Sequence, residues 1–298
     1  MIYSIALSLL LGFEFSYYLL ILQTGVVAHY NSDLITLLPM FAGGVAGTLL
    51  AGKTWGKIDN PIHKIIIALT IQLFLSFAYP NYNFLTLALL GLAVGLMAPL
   101  GIYLFKAHQQ KELFFALVVA YTIGTYSFTS DVDARMWMGV IFSVVALLSV
   151  IVLRDYKVER DSKVVSLAYI SYVPLMFWIL LDSTLFETLS RNTGMNIWPH
   201  YTFVIILFHI IGLLSAYFID IPKSKEHIYI SLAFLVSYVL YYLEFPFLLA
   251  IVYPFTISYY NVVVFTTLTH EMSLSKLAYI MIFVGWIASG FGLVIALL

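Results

Sequence analysis

The sequence predicts an all-α protein, a polytopic membrane bundle of about 11 transmembrane helices in two pseudo-repeated halves. Three observations lead there. Of 298 residues, 62% are hydrophobic and 10% charged, with a mean hydropathy of +1.00; a soluble domain carries about a quarter charged residues. Apolar runs approaching the ~20 residues that a helix needs to cross a bilayer recur from end to end. These runs are continuous, without the strict alternation of a membrane barrel strand, so the helix, which bonds its own backbone, is the state that fits.

The apolar segments are 2–28, 34–52, 65–79, 84–105, 113–128, 136–153, 164–186, 201–219, 228–243, 247–268 and 277–298. The first exceeds the h-region of a signal peptide and has neither a basic n-region nor a small-residue cleavage site, so it is expected to remain as span one. Glycines at 43 and 47 in the second span, and at 91 and 95 in the fourth, have the small-xxx-small spacing that lets helices approach closely. Pro99 and Pro254 fall inside spans four and ten, where each removes a backbone hydrogen bond and kinks the helix. "SDVDAR", before span six, reads as an outer turn, and tyrosines near span ends suit the interfacial belt. The polar, mixed-sign "RDYKVERDSK" is the expected cytoplasmic connection, 154–163, between an N-terminal six-helix bundle, 1–153, and a C-terminal five-helix bundle, 164–298.

Charge orients the chain. With the N-terminus inside, twelve of the 14 Lys and Arg, Lys53, Lys57, Lys64 and Lys223 among them, fall in inner loops; Arg135 and Arg191 lie outside. That bias is the positive-inside pattern, and an odd number of spans then puts the C-terminus outside a plasma membrane. A net charge of −1 offers no basic surface for nucleic acid, and the absence of cysteine excludes disulfides, iron–sulfur ligation and thiolate catalysis. The sequence has no His-Glu-x-x-His metal motif, Gly-x-Ser-x-Gly elbow or phosphate-cradling loop. No enzyme activity and no cofactor is implied. The implied partners are the lipid bilayer and a small-molecule substrate.

The halves echo each other. Ile-Asp-x-Pro recurs at Ile58–Pro61 and Ile219–Pro222 after spans two and eight, followed by matching prolines (Pro99, Pro254) and glycines (Gly124, Gly285). Parallel repeats of this kind are a known transporter architecture. In these features the chain resembles the major facilitator superfamily, whose glycine-rich second span runs into a loop of the form Gly-x-x-x-Asp-Arg-x-Gly-Arg-Arg with a weaker copy after span eight. "GTLLAGKTWGK" keeps Gly47, Lys53, Gly56 and Lys57, and "YFIDIPKSK" keeps Asp220, Lys223 and Lys225. The first copy is one residue longer and has Gly52 near the place of the family's aspartate, which in that family pairs with basic residues and helix ends to latch the cytoplasmic side. The resemblance implies a facilitator-like carrier of a small or lipophilic solute working by alternating access. Its cytoplasmic gate would comprise Lys53, Gly56, Lys57, Asp59, Asp220 and Lys223. The missing twelfth span admits another reading, a non-catalytic hydrophobic anchor subunit of a respiratory or cytochrome complex, with a partner's single span in the vacant place.

Glu14 lies in mid-span, where a carboxyl is costly enough to need a reason. Tyr17 and Tyr18, at i+3 and i+4, share its helix face. In a facilitator-type carrier the first span lines the central cavity, so Glu14 is a candidate proton-coupling or substrate-binding group; the alternative is a neutral structural carboxyl. Asp182, with Ser183 and Thr184, forms the counterpart patch in span seven, and Glu187 beyond it is expected at the outer surface. His209 is the histidine deepest in a span, a candidate relay or a satisfied structural group; Gln23, Gln72 and Asn261 are polar residues within or near spans, the type that bonds between helices. The orientation is checked by single cysteines, which need no cysteine-free background here. Asn81→Cys should react with an impermeant maleimide on intact cells, and Lys225→Cys only after permeabilisation; the reverse pattern would invert the topology.

Overall fold

The computed structural model describes residues 1–30, 33–56, 58, 60–105, 109–156, 168–192, 194–219, 221–271 and 273–298, with the backbone alone for 223 and 224. Lys57, Asp59 and Asp220 of the expected gate, and residues 157–163 of the expected connection, lie outside the described residues. Eleven long helices account for most of the chain. They are α1 (Ile2–His29), α2 (Leu34–Ala51), α3 (Pro61–Ser76), α4 (Phe84–Leu104), α5 (Gln110–Ser127), α6 (Val132–Val152), α7 (Tyr169–Arg191), α8 (Thr202–Phe218), α9 (Lys223–Tyr242), α10 (Pro246–Thr269) and α11 (Leu274–Leu297). Seven of them are long and apolar enough to cross a membrane by length and composition. The protein is a multi-pass, all-α membrane bundle.

Several helices begin before their apolar run does, because caps rather than hydropathy start a helix. Hydropathy put the third span at 65, yet α3 starts at Pro61: Asn60 accepts from the Ile62 N–H at 2.9 Å, and proline suits the first helical position. "SDVDAR" is not a free turn. Asp131 accepts from the Ala134 N–H at 2.7 Å and caps α6, whose helix runs from Val132. Asn83 and Thr86 form a reciprocal capping box on α4. Asp33 caps α2 from outside the span; the Thr36 hydroxyl, with the Ile35 N–H, holds its carboxyl below the usual carboxylate range.

The chain divides into two compact units. Unit 1 comprises Met1–Leu167 and Leu268–Ile282; unit 2 comprises Ala168–Thr267 and Phe283–Leu298. The last helix is therefore shared. It passes from one unit to the other where its backbone widens into a π-helical stretch, Ile282–Ile287.

A second π stretch, Tyr18–Val26, interrupts α1; Val27 N–H bonds the Leu22 carbonyl five residues back. Such a stretch leaves carbonyls turned away from the usual i−4 donor, and here Arg135 collects them. Its Nη1 donates to the Thr24 carbonyl at 2.7 Å, the Thr24 hydroxyl at 3.1 Å and the Leu20 carbonyl at 3.2 Å. Its Nε donates to the Ser130 carbonyl at 3.0 Å and its Nη2 to the Phe128 carbonyl. Arg135, placed by sequence among outer loop charges, ties α6 to the widened turn of α1.

The tightest contact in unit 1 is between α2 and α4. A Cβ on Gly43 or Gly47 would fall on the Ala88 or Leu92 carbonyl, and one on Gly91 or Gly95 on the Met40 or Gly44 carbonyl. The two small-xxx-small stretches therefore interlock backbone to backbone. Thr48 adds a hydroxyl bond across the seam to the Gly95 carbonyl at 3.0 Å. Gly95→Leu should lower unfolding stability by at least the ~1–3 kcal/mol typical of overpacking, read as a fall in melting temperature in detergent; Gly290→Ala, where the space is open, should leave it unchanged.

Candidate functional site

In unit 1 the polar centre is built on α1 and α3. Glu14 is buried, and its Oε1 accepts from the Gln72 side-chain amide at 2.7 Å. The Tyr17 hydroxyl donates to the Gln72 backbone carbonyl at 3.3 Å; Ser76 donates to that carbonyl at 2.8 Å and to the Tyr17 oxygen at 3.4 Å. Glu14, Tyr17, Gln72 and Ser76 thus form one enclosed network. Tyr18, on the neighbouring arc of α1, is half-buried; Gln23 is half-buried in the π stretch. Gln72 was legible only as one of several in-span amides, although Ser76 one turn on marks the same polar face.

Unit 2 has its own carboxyl centre. Asp182 Oδ1 accepts from the Tyr253 hydroxyl at 2.7 Å and Oδ2 from the Tyr260 hydroxyl, and Tyr253 also reaches the Asp182 carbonyl at 3.0 Å. The two phenols lie seven residues apart on α10, hence two turns apart on one face. Ser183 and Thr184 do not join this carboxyl as expected. Ser183 donates to the Ser289 carbonyl of α11 at 2.8 Å, and Thr184 to Leu180 of its own helix at 2.8 Å. Glu187 is buried, not at the surface, and pairs with Arg191 at 2.9 Å.

His209 lies buried on α8 with Nδ1 2.7 Å from the Ser258 hydroxyl, and its ring also bonds the main chain of Pro254, which has only a carbonyl to offer. Asn261 donates back to the Ile257 carbonyl of its own helix at 3.0 Å. Among the described residues, no group of three His, Asp or Glu is arranged to hold a metal ion.

The turn after α2 explains its own composition. Lys64 is buried, and its ammonium donates to the Lys53 carbonyl at 2.6 Å and the Ala51 carbonyl at 3.2 Å while lying 5.5 Å from the Trp55 ring centre. The Trp55 indole donates to the Leu50 carbonyl at 2.9 Å. Together they satisfy the carbonyls that a helix end leaves open. Gly56 turns the chain at φ 60°, and Lys53 and Gly56 are exposed. Gly52 packs on the start of α11: a Cβ there would lie 2.8 Å from the Ser275 Cα and 3.3 Å from the Ala278 Cβ. A side chain where the facilitator pattern has aspartate has no room. The carboxyl at this helix start is instead Glu271, buried, 2.8 Å from the Lys276 ammonium and accepting from the Ser273 N–H at 3.2 Å.

Among the described residues, seven membrane-length helices and four shorter or less apolar ones, with a carboxyl centre in each unit, make this a multi-pass membrane helical bundle. Among solved structures the chain superposes on the major facilitator superfamily proton:xylose symporter XylE, bound to 6-bromo-6-deoxy-D-glucose. The TM-score is 0.59 at 14% identity, covering 98% of this chain and 87% of that one. At that identity the likeness is one of fold. No protein-family profile and no curated protein matches the sequence.

The Asp182 centre makes a testable demand. Tyr253→Phe or Tyr260→Phe each removes one phenolic donor from a carboxyl in an apolar bundle, and each should cost about 1–3 kcal/mol in chemical denaturation of the purified protein.

Proposed function

We propose that the protein is a facilitator-type transporter that carries a small or lipophilic solute across the cell membrane by alternating access, coupled to protons at Glu14. The fold shared with a proton:xylose symporter over 98% of the chain supports the carrier reading. Proton coupling is supported by one observation: Glu14 is enclosed in the middle of α1 against a neutral amide, with no Lys, Arg or His among the described residues acting on it. A carboxyl so placed has the proton as its natural counter-charge.

Alternating access assigns the two halves to the moving bodies, and the Lys53–Gly56 turn to the cytoplasmic gate with Lys57, Asp59, Asp220 and Lys223. Asp182 is the second candidate group for proton or solute.

The test is uptake into proteoliposomes across a panel of sugars and lipophilic compounds, with a lumenal pH dye. Wild-type protein should accumulate its solute on an imposed pH gradient. Glu14→Gln should lose that accumulation to background while still exchanging labelled for unlabelled solute without a gradient. Gradient-driven accumulation by Glu14→Gln equal to wild type would remove Glu14 from the mechanism.

A further inference from the structure

Gln72 is fully buried, and its Nε2 donates to Glu14 Oε1 at 2.7 Å, yet its other amide atom, Oε1, has no hydrogen-bond partner. Buried acceptors are rarely left unmet, because desolvation is not repaid. Turning the amide over does not help: it would set the carbonyl against a carboxyl oxygen and leave the N–H₂ group in the empty place. A protonated Glu14 does help. A neutral carboxyl offers one O–H donor and one C=O acceptor, the complement of an amide's C=O and N–H₂. Face to face, the two groups close a ring of two parallel hydrogen bonds.

We infer that Gln72 is the positioning residue that senses the proton on Glu14, closing a two-bond ring with the neutral acid and keeping only one of the two bonds with the carboxylate. The inference rests on Glu14 as the proton-binding group and adds the partner that tells its two states apart. The backbone of Gln72 is fixed by Tyr17 and Ser76 through its carbonyl, so the amide side chain is the part that responds.

Among the described residues, no charged group acts on Glu14. On α1 itself the titratable neighbours are Tyr17 and Tyr18, and α3, which carries Gln72, has His63 and Lys64 in its first turn. The helices packed on α1 carry their ionisable groups at their ends (Lys111 and Glu112 on α5, Asp133 and Arg135 on α6), with the phenols of Tyr121 in mid-span on α5 and Tyr103 near the end of α4. Arg135 is engaged by five oxygen acceptors of its own.

The experiment is infrared difference spectroscopy of the full chain in lipid nanodiscs, titrated from low to high pH, with melting temperature measured on the same samples. Wild type should show a neutral-carboxyl C=O band that vanishes as pH rises and is absent from Glu14→Gln. Gln72→Leu should move that band to higher frequency and displace the pH at which it vanishes. In Glu14→Gln an amide–amide pair keeps both bonds at every pH, so its melting temperature should not vary with pH where that of wild type falls as the acid ionises. The exchange Glu14→Gln with Gln72→Glu keeps one acid and one amide and should restore the wild-type band; it decides the matter if Gln72→Leu fails to fold.

A band unmoved by Gln72→Leu, or an exchanged pair whose band lies away from the wild-type frequency, overturns the role of Gln72. That result is separable from the transport reading. Loss of gradient-driven uptake in Glu14→Gln beside an unmoved band would leave the proton carrier standing without its sensor, whereas normal uptake beside a moved band would leave the pair without the coupling.

Discussion

Lipid offers a polar group nothing to bond with, and the internal architecture of this protein follows from that constraint. Three ionisable side chains carried deep into helices are each met by neighbours within their own unit. Glu14 meets the Gln72 amide, Asp182 meets two phenols from α10, and His209 meets Ser258 and the Pro254 main chain. The same rule applies to the backbone. Where α1 widens and its carbonyls lose their helical donors, the Arg135 guanidinium supplies bonds to two of them, those of Leu20 and Thr24. Gln72 Oε1, like Thr125 Oγ1, is a buried oxygen for which the rule is not met, and it is the one that lies on the partner of an acid.

The two units solve the problem with different chemistry. Unit 1 sets a carboxyl against an amide from α3, a partner that can both give and accept. Unit 2 sets a carboxyl against hydroxyl donors from α10, which suit a carboxylate's acceptors. The two centres also differ in completeness: both Asp182 carboxyl oxygens accept a phenolic hydrogen bond, whereas the Gln72 amide that meets Glu14 leaves its own oxygen unmet.

At the turn after α2, the departure from the facilitator pattern has a visible steric cause. The α2–α11 contact is so close at Gly52 that a side chain would strike the Ser275 backbone, and the carboxyl at the start of α11 comes from Glu271. The lysines there have two employments. Lys53 is exposed in the basic turn, while Lys64 is buried as the cap of α2 beneath Trp55. Charge counting treats the two alike, since it registers sign and not burial.

Hydropathy and glycine spacing determined by themselves that the chain is an all-α membrane bundle, and they marked the backbone seam between α2 and α4. These are local or averaged properties, and the bilayer imposes them on any chain of this composition. The particular partners were decided only by tertiary structure. Sequence placed Tyr17 and Tyr18 on the Glu14 face but could not show that Gln72, 58 residues away, would hold the acid. Asp182 was visible, whereas the phenols that bind it, 71 and 78 residues on, were lost among the interfacial tyrosines. Helix starts shifted for a related reason: a cap such as Asp131 is polar and lies outside the apolar run, so hydropathy discards the residue that begins the helix. A polar group's partner in a membrane is chosen by which helices pack together, and that choice is written in no single stretch of the chain.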